Sequence, residues 1–480
     1  MPPTSLIATL LDPPSPDGAE LTALSDAVEW LEVRADVVGD IDPDWLRSHF
    51  KGRLLYALRT DGELLNRPQR LKTAARFYDR VELEAETDLS EELLQLIPAE
   101  KRLVSWYGSI NNQLQLSDRF SQLTSVAAGV YKIVTNAATI AEEFLPLSLL
   151  KSLKRTDTIA FSNGPLGFWN RLIALHVGAP ATFGLVAGGS VAAMEPTISK
   201  LIADYGLPEV TPAKELFAII GNPIFHSLSP RLHNASYRAM EHPALFVPLR
   251  VESFEEFWRE FVVSRKLDEF GMPINGMTVA SPHKEEAVLR AIQVSEMVRQ
   301  TEAANILVRN NGWWIADTTD PDVVYTASRD RSVSVREKRA AVIGCGGAGR
   351  AIAAALVESG AGVTLINRGA ERGEHAAALL GLPYIPLRDF NAEGYDIVVN
   401  ATPVGRDTDE APFELETMND DAVVIDLVYG ARPTPLVGTT RARQQVAIDG
   451  RDVLVTQVRH QFRLMTGKEM SVALAREKLL

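Results

Sequence analysis

The sequence predicts an α/β chain in which a (β/α)8 barrel is followed by a second region ending in an open, doubly wound sheet. Three observations carry that expectation. Through the first two hundred residues, β-prone runs alternate with segments of helical character at fairly regular intervals. Pro208 and Pro212 then interrupt the pattern ahead of a new apolar run. Further on, residues 340–368, AAVIGCGGAGRAIAAALVESGAGVTLINR, read as strand, tight turn, helix and strand.

In chain order, the β-prone runs are SLIATLL from residue 5, AVEWLEV from 27, RLLYALR from 53, RVELEAE from 80, RLVSWYG from 102, GVYKIVT from 129, TIAFSNG from 158 and ATFGLVA from 181. Helical stretches such as RPQRLKTAARFYD and LGFWNRLIALHVG lie between them. Eight such strands suggest a barrel, small for its class, while an open parallel sheet fits the same pattern. Strands covered on both faces should be apolar throughout. Here Glu32 and Arg34 alternate on the second, Arg59 ends the third, and Lys132 lies in the sixth between Tyr131 and Ile133. Charges inside a barrel need partners or a chemical task. A lysine desolvated among apolar residues can attack a carbonyl as the neutral amine and form a Schiff base. The other reading of Lys132 is a lysine paired within the barrel core.

With those residues in view, positions 5 to 205 resemble the type I 3-dehydroquinate dehydratases, whose barrel uses a Schiff-base lysine. The resemblance implies that Lys132 in VYKI is that lysine. It also implies that Glu32 and Arg34 in EWLEVRAD, Arg59 and Glu63 in ALRTDGE, Arg171 in WNRLIALHVG and Ser190 in the last loop grip a cyclic polyol acid. The sequence departs from the family at two places. Tyr107 stands where a proton-transferring histidine is expected, and Met194 where the family has glutamine. Loss of such an imidazole costs on the order of 10²- to 10⁴-fold in rate, and a phenol with pKa about 10 is a poor substitute. The barrel therefore reads as a dehydratase or as a catalytically silent ligand-binding scaffold.

TPAKEL from 211 reads as a linker, and LFAIIG as the first strand of a new domain. In the loop after it, Ser227 and Ser229 precede Pro230, a residue suited to the first helical position. Hydroxyls beside a helix start make a carboxylate site; a plain N-cap at Ser229 is the alternative. NGMTVASPHKEEAV then places Lys284 at a helix start, TEAANILV carries Asn305, and GWWIADTTDPD carries Asp320. The helix dipole disfavours a lysine at that position, which makes a purely structural role less attractive.

The apolar run into Gly344 leads to G-x-G-x-x-G at Gly344, Gly346 and Gly349, with Gly347 and Ala348 between. Such a loop needs one glycine for the tight turn, one for backbone approach to a pyrophosphate, and one for close helix packing. The helix start offers unpaired N–H groups to the phosphates. The strand after it ends in Asn367 and Arg368, with Arg372 close behind, instead of the acidic residue that accepts from an NAD ribose. Two guanidinium groups can pair with a 2'-phosphate, so NADP is the expected cofactor. Taken alone, Arg372 also fits a solvated arginine at a helix start.

These segments, in this order over residues 213 to 480, resemble shikimate dehydrogenase. The resemblance implies a two-lobed region whose second lobe is a Rossmann domain. It makes Lys284 and Asp320 the catalytic pair, Ser227, Ser229, Asn305, Tyr429 and Gln457 the substrate contacts, and the glycine loop with NATPVG from Asn400 through Ala401 and Thr402 the cofactor site. Departures are Ala280 for threonine, Ser281 for isoleucine, Thr318 for asparagine and Arg406 for methionine. Loss of one hydroxyl bears on specificity, so shikimate is the first choice and quinate the alternative. Together the halves look like the fused dehydratase–dehydrogenase arrangement. The expected domains are a barrel at 1–209, a substrate-binding domain at 213–325 and an NADP-binding domain at 326–480 whose last helix returns to the substrate domain.

Composition narrows the classes that remain. The 480 residues are 46% hydrophobic and 23% charged, as in a globular protein of two or three domains. A net charge of −13 argues against nucleic-acid binding. No apolar run reaches about eighteen residues, and no leader pattern opens the chain, so the expectation is a cytoplasmic protein without membrane contact. The sole cysteine, Cys345, excludes an internal disulfide and reads as a small filler of the glycine turn. No metal-ligand spacing occurs, and a homodimer stays open.

Overall fold

The computed structural model describes residues 4–59, 66–187, 195–430 and 432–479. Two compact units divide the chain: residues 1–216 with 223–274, and residues 217–222 with 275–480.

In the first unit, the eight expected strands form: β1 Ser5–Leu10, β2 Val28–Arg34, β3 Arg53–Ala57, β4 Arg80–Glu84, β5 Arg102–Gly108, β6 Val130–Asn136, β7 Thr158–Asn163 and β8 Ala181–Leu185. Their order is β7-β6-β5-β4-β3-β2-β1-β8. Neighbours pair in parallel, and β1 lies between β2 and β8, with Ile7 opposite Phe183. Joining the first strand to the last wraps the sheet into a nearly closed barrel, which sets the open-sheet alternative aside. Ile7, Trp30, Leu55, Leu103, Val134, Ile159, Phe161 and Phe183 share one buried apolar cluster. Residues 223–274 add helix Ser229–Ala239 and β10 Ala244–Arg250. That helix packs on helix Ile198–Tyr205 of the barrel, pinned by Arg231 Nε on Asp204 Oδ1 at 2.8 Å.

The second unit holds two sheets. In one, β9-β11-β13-β14-β12 lie side by side: β9 Glu215–Gly221, β11 Ile274–Val279, β12 Gln293–Val294, β13 Ile306–Asn310 and β14 Trp313–Asp317. The other comprises β15 Arg339–Ile343, β16 Gly362–Asn367, β17 Tyr384–Pro386, β18 Ile397–Asn400, β19 Val423–Asp426 and β20 Ala447–Ile448, in the order β17-β16-β15-β18-β19-β20. All of its pairings are parallel. The chain winds outward from β15 to one edge, returns to β18 and winds to the other. Such a reversal leaves a crevice beyond the carboxyl ends of β15 and β18, where ligands bind in open α/β sheets. Apolar layers cover both faces: Val342, Ile352, Leu356 and Val399 on one, Ile343, Ile366, Val398 and Leu436 on the other. Among the described residues, no helix is long and apolar enough to cross a membrane.

Candidate active site

Lys284 opens helix Lys284–Val288 and directs Nζ at Asp320 Oδ2, 2.5 Å away. Asp320 lies just past β14 and is nearly inaccessible. Its other oxygen, Oδ1, accepts from Asn305 Nδ2 at 3.0 Å and from Gln457 Nε2 at 2.9 Å. Asn305 is fixed in turn, because its Oδ1 accepts the Thr319 N–H at 2.8 Å. Gln461, one turn beyond Gln457 on helix Gly450–Thr466, donates to Thr319 Oγ1 at 3.0 Å and accepts from Thr278 Oγ1 at 3.2 Å. Lys284, Asp320, Asn305 and Gln457, which sequence reasoning grouped, thus lie together; it missed Thr278, Thr319 and Gln461, which brace them. Only the one-turn spacing of the two glutamines hinted at the last. A carboxylate held by three donors is fixed in orientation yet keeps an acceptor site, and the ammonium it holds keeps two further N–H bonds for an oxygen in the crevice.

The glycine loop lies against this lysine. A Cβ built on Gly347 would stand 3.0 Å from Lys284 Cδ and 2.8 Å from Ala303 Cβ. Gly344 has φ +104°, a backbone that side chains rarely adopt, and a Cβ on Gly349 would meet Gly344 O at 1.8 Å. Gly346 differs: a Cβ there meets nothing within 4 Å. It faces open space at the start of helix Gly347–Glu358, whose N-cap has no side-chain bond. The first amides of that helix, at Gly347, Ala348 and Gly349, have no partner within it. That cradle fits a pyrophosphate.

Asn367, at the end of β16, holds the loop: its Oδ1 accepts the Cys345 N–H at 3.1 Å, and its Nδ2 donates to Gly369 O at 2.8 Å. Arg368 and Arg372 beside it are exposed. Cys345 is buried, and burial lifts its thiol to about 11, so it serves as filler. Asn400 closes β18, with Oδ1 accepting from Thr402 N and Oγ1 and Nδ2 donating to Asp426 Oδ1 at 3.0 Å. Ala401 O and Thr402 Cγ2 fill the space beside Gly344. Asn400 therefore fixes the segment that packs beside Gly344. Tyr429, half-buried, comes after β19 where its backbone presses on Gly450.

In the first unit, Ser227 and Ser229 are both buried, and Ser227 Oγ accepts the Ser229 N–H at 3.2 Å. Ser229 is not the cap: the N-cap position falls to Leu228, and Ser229 begins the helix with Pro230 after it.

The barrel centre differs from the expected apolar surround of Lys132. Its Nζ lies 3.3 Å from Glu32 Oε1 and 3.0 Å from Glu82 Oε1, above the Phe183 ring. The paired-lysine reading thus describes what forms, because a buried ammonium needs counter-charges. Glu82, on β4, was missed; its alternation with Val81 and Leu83 along RVELE, shared with Glu84, was its only signal. Burial would raise its carboxyl, but the charges of Lys132 and Arg59 outweigh that and hold it at about 2. Tyr107 donates to Glu82 at 2.5 Å, and burial keeps its phenol well above the ordinary value. Arg59 stacks on the Tyr107 ring at 4.5 Å and approaches Glu32 at 3.5 Å. Arg34 is engaged by Asp36 through two bonds, and Arg171 by Glu195 at 2.6 Å and Asn163 at 3.1 Å. Glu63 and Ser190 lie outside the described residues. Among those described, no group of three or more His, Cys, Asp or Glu is placed to hold a metal ion.

Three family models match the chain: type I 3-dehydroquinase over residues 18–208, the shikimate dehydrogenase substrate binding domain over 219–307, and the NAD-binding domain of D-isomer specific 2-hydroxyacid dehydrogenases over 291–431. A bifunctional 3-dehydroquinate dehydratase/shikimate dehydrogenase of Arabidopsis thaliana, chloroplastic, is 26% identical over 475 residues, covering 91% of this chain and 77% of the relative. An NADP(+) shikimate dehydrogenase of Xanthomonas euvesicatoria is 34% identical over 267 residues, 52% of this chain and 90% of the relative. Among solved structures, shikimate dehydrogenase from Aquifex aeolicus superposes with a TM-score of 0.51 at 28% identity, covering 55% of this chain and 97% of its own. Another shikimate dehydrogenase, solved with NADP+, gives 0.50 at 25% identity over 55% of this chain and 94% of its own.

Proposed function

Because the chain belongs to the shikimate dehydrogenase family, we propose that its second half interconverts 3-dehydroshikimate and shikimate with NADP, and that the barrel ahead of it dehydrates 3-dehydroquinate. The observation that carries the first activity is the Lys284–Asp320 pair lying beside Gly347 of the glycine loop. NADPH, when bound, supplies the hydride from its nicotinamide ring. Lys284 donates a proton to the ketone oxygen as it becomes an alkoxide, and its positive charge stabilises that oxygen beforehand. Asp320 orients the amine and, with Asn305 and Gln457, accepts and donates to ring hydroxyls. Tyr429 completes the substrate contacts of this unit, and Ser227 and Ser229 of the first unit are a pair suited to a carboxylate. Amides of Gly346, Gly347, Ala348 and Gly349 hold the pyrophosphate, while Arg368 and Arg372 pair with the 2'-phosphate. The modules of this reading are residues 1–209, 213–325 and 326–480, acting in the cytoplasm, with a homodimer as the assembly to test by sedimentation.

In the barrel, Lys132 as the neutral amine condenses with the substrate's ketone to form the Schiff base with release of water, and Glu32, Arg34, Arg59 and Arg171 bind the substrate's carboxylate and hydroxyls, with Glu63 and Ser190. The Tyr107–Glu82 bond supports a second reading, a ligand-binding barrel without turnover, since it puts a phenol where an imidazole would transfer protons. Steady-state assays with shikimate and quinate, each with NADP and NAD, test the dehydrogenase. Preferred turnover of shikimate with NADP is expected; turnover of quinate alone would shift the assignment. Borohydride added with dehydroquinate should leave a mass adduct on Lys132, and its absence together with no dehydration would reduce the barrel to a scaffold.

A further inference from the structure

Arg350 is among the largest fully buried side chains in the protein, with 1% of its surface exposed. It lies on helix Gly347–Glu358, one turn beyond Gly346, so it belongs to the element whose amides face the nucleotide phosphates. Its Nε donates to Thr301 O at 2.8 Å and its Nη2 to Glu302 O at 3.4 Å. Nη2 also pairs with Glu285 Oε1 at 2.8 Å. Those two carbonyls end helix Glu296–Thr301, where Glu302 turns left-handed at φ 51°. Such terminal carbonyls lack helical partners and attract cations.

The three residues after Glu302 connect this grip to the reacting groups. Ala303 Cβ packs into the space beside Gly347, the Ala304 N–H donates to Lys284 O at 2.9 Å, and Asn305 binds Asp320. Glu285, the other residue Arg350 holds, is the immediate neighbour of Lys284. One guanidinium from the phosphate-binding helix therefore grips both Glu285, the neighbour of Lys284, and the chain that leads to Asn305. Planar and permanently charged, guanidinium can span carbonyl and carboxylate acceptors together, a geometry lysine lacks.

We propose that Arg350 is a positioning residue for hydride transfer: it keys Lys284 and Asp320 to the dinucleotide loop, so that a bound nicotinamide and the proton donor share one register. This rests on the dehydrogenase reading above. A misplacement of about 1 Å at reacting atoms costs on the order of 100-fold in rate without a matching loss of affinity.

The test is a double-mutant cycle on the full chain, with R350M, K284A and the double variant assayed for shikimate oxidation with NADP. R350M is expected to lower kcat about tenfold or more, while KM for shikimate and Kd for NADPH, read by cofactor fluorescence, change less than about threefold. In the K284A background the same substitution should have almost no further effect. R350K, lacking the fork, should rescue only part of the rate. Loss of NADPH affinity with kcat intact, or an equal loss in the K284A background, would overturn the proposal. Should R350M not fold, E285A removes one contact and leaves the other two; it is expected to lower kcat about threefold with KM unchanged, and a wild-type kcat would count against the inference. Failure of the underlying reading looks different, because K284A itself would then turn over at the wild-type rate.

Discussion

At the residue scale, the informative groups are those whose charge has been given a fixed partner. Lys132 sits between Glu32 and Glu82 with 1% of its side chain exposed. Removing it leaves two carboxylates without their shared counter-ion, and breaking a buried ion pair from one side costs about 3–5 kcal/mol. K132M is therefore expected to lower the urea midpoint of the barrel unit substantially besides abolishing the borohydride adduct, and an unchanged midpoint would show that the ion triad does not form. Arg368 and Arg372 present the opposite case, two exposed guanidinium groups at the end of β16. Replacing both with glutamine should raise Kd for NADP by about 10- to 100-fold, at about 1.4 kcal/mol per tenfold, and leave NAD binding nearly unchanged. Titration with both cofactors reads this directly, and equal weakening of both would contradict the 2'-phosphate assignment. Much of this scale was legible in the sequence only as residue types. Lys132 and Asp320 stood out because ionisable groups in or beside apolar strands need a reason. Glu82, Thr319 and Gln461 did not, since their partners lie up to 183 positions away in the chain.

At the scale of elements, the turn between β15 and its helix makes the sharpest distinction. Gly349 is required by packing, because an added Cβ would lie 1.8 Å from Gly344 O, whereas Gly346 faces open space. G349A should therefore lose thermal stability, and G346A should melt within about a degree of wild type. Yet G346A puts a methyl group where the pyrophosphate must approach, and KM for NADP should rise on the order of tenfold. A G346A enzyme with unaltered KM would remove the phosphate from that loop. The strand-turn-helix-strand pattern was readable because local spacing dictates it. The alternative reading of Ser229 as a plain N-cap does not form, since Ser229 begins the helix and Ser227 accepts its amide.

Across the whole molecule, stability should depend on pH through buried carboxyls. Glu143, in the first unit, is fully inaccessible; burial raises it to about 8, although Leu166 N and Trp169 Nε1 donate to it and the charge of Arg250 opposes the shift. A folded-state value above the unfolded one favours the protonated form. Its contribution is complete below pH of about 4.5 and is lost as pH rises through 8. At about 1.4 kcal/mol per pH unit, the loss is on the order of 4–5 kcal/mol. Asp426 in the second unit, lifted by burial to about 6, adds a smaller loss over pH values of about 4 to 6. Glu82 acts oppositely: held at about 2, it supports the barrel above its unfolded value and withdraws that support as pH falls toward 2. Urea unfolding between pH 5 and 9 should show wild type weakening with pH and E143Q responding less; parallel curves would contradict the assignment. The order of the barrel strands and the Rossmann-type sheet was legible at this scale, since parallel crossovers restrict topology. The grouping of residues 223–274 with the barrel was not, because it depends on surfaces such as Arg231 against Asp204 that leave no periodic trace.

The central claim is that Lys284, held by Asp320, is the proton donor for an NADP-linked reduction. It is tested most directly by the kcat of K284A for shikimate oxidation, with NADPH binding measured in the same preparation. A fall of about 10²- to 10⁴-fold in kcat with cofactor affinity retained is the predicted result. Turnover at the wild-type rate would contradict it.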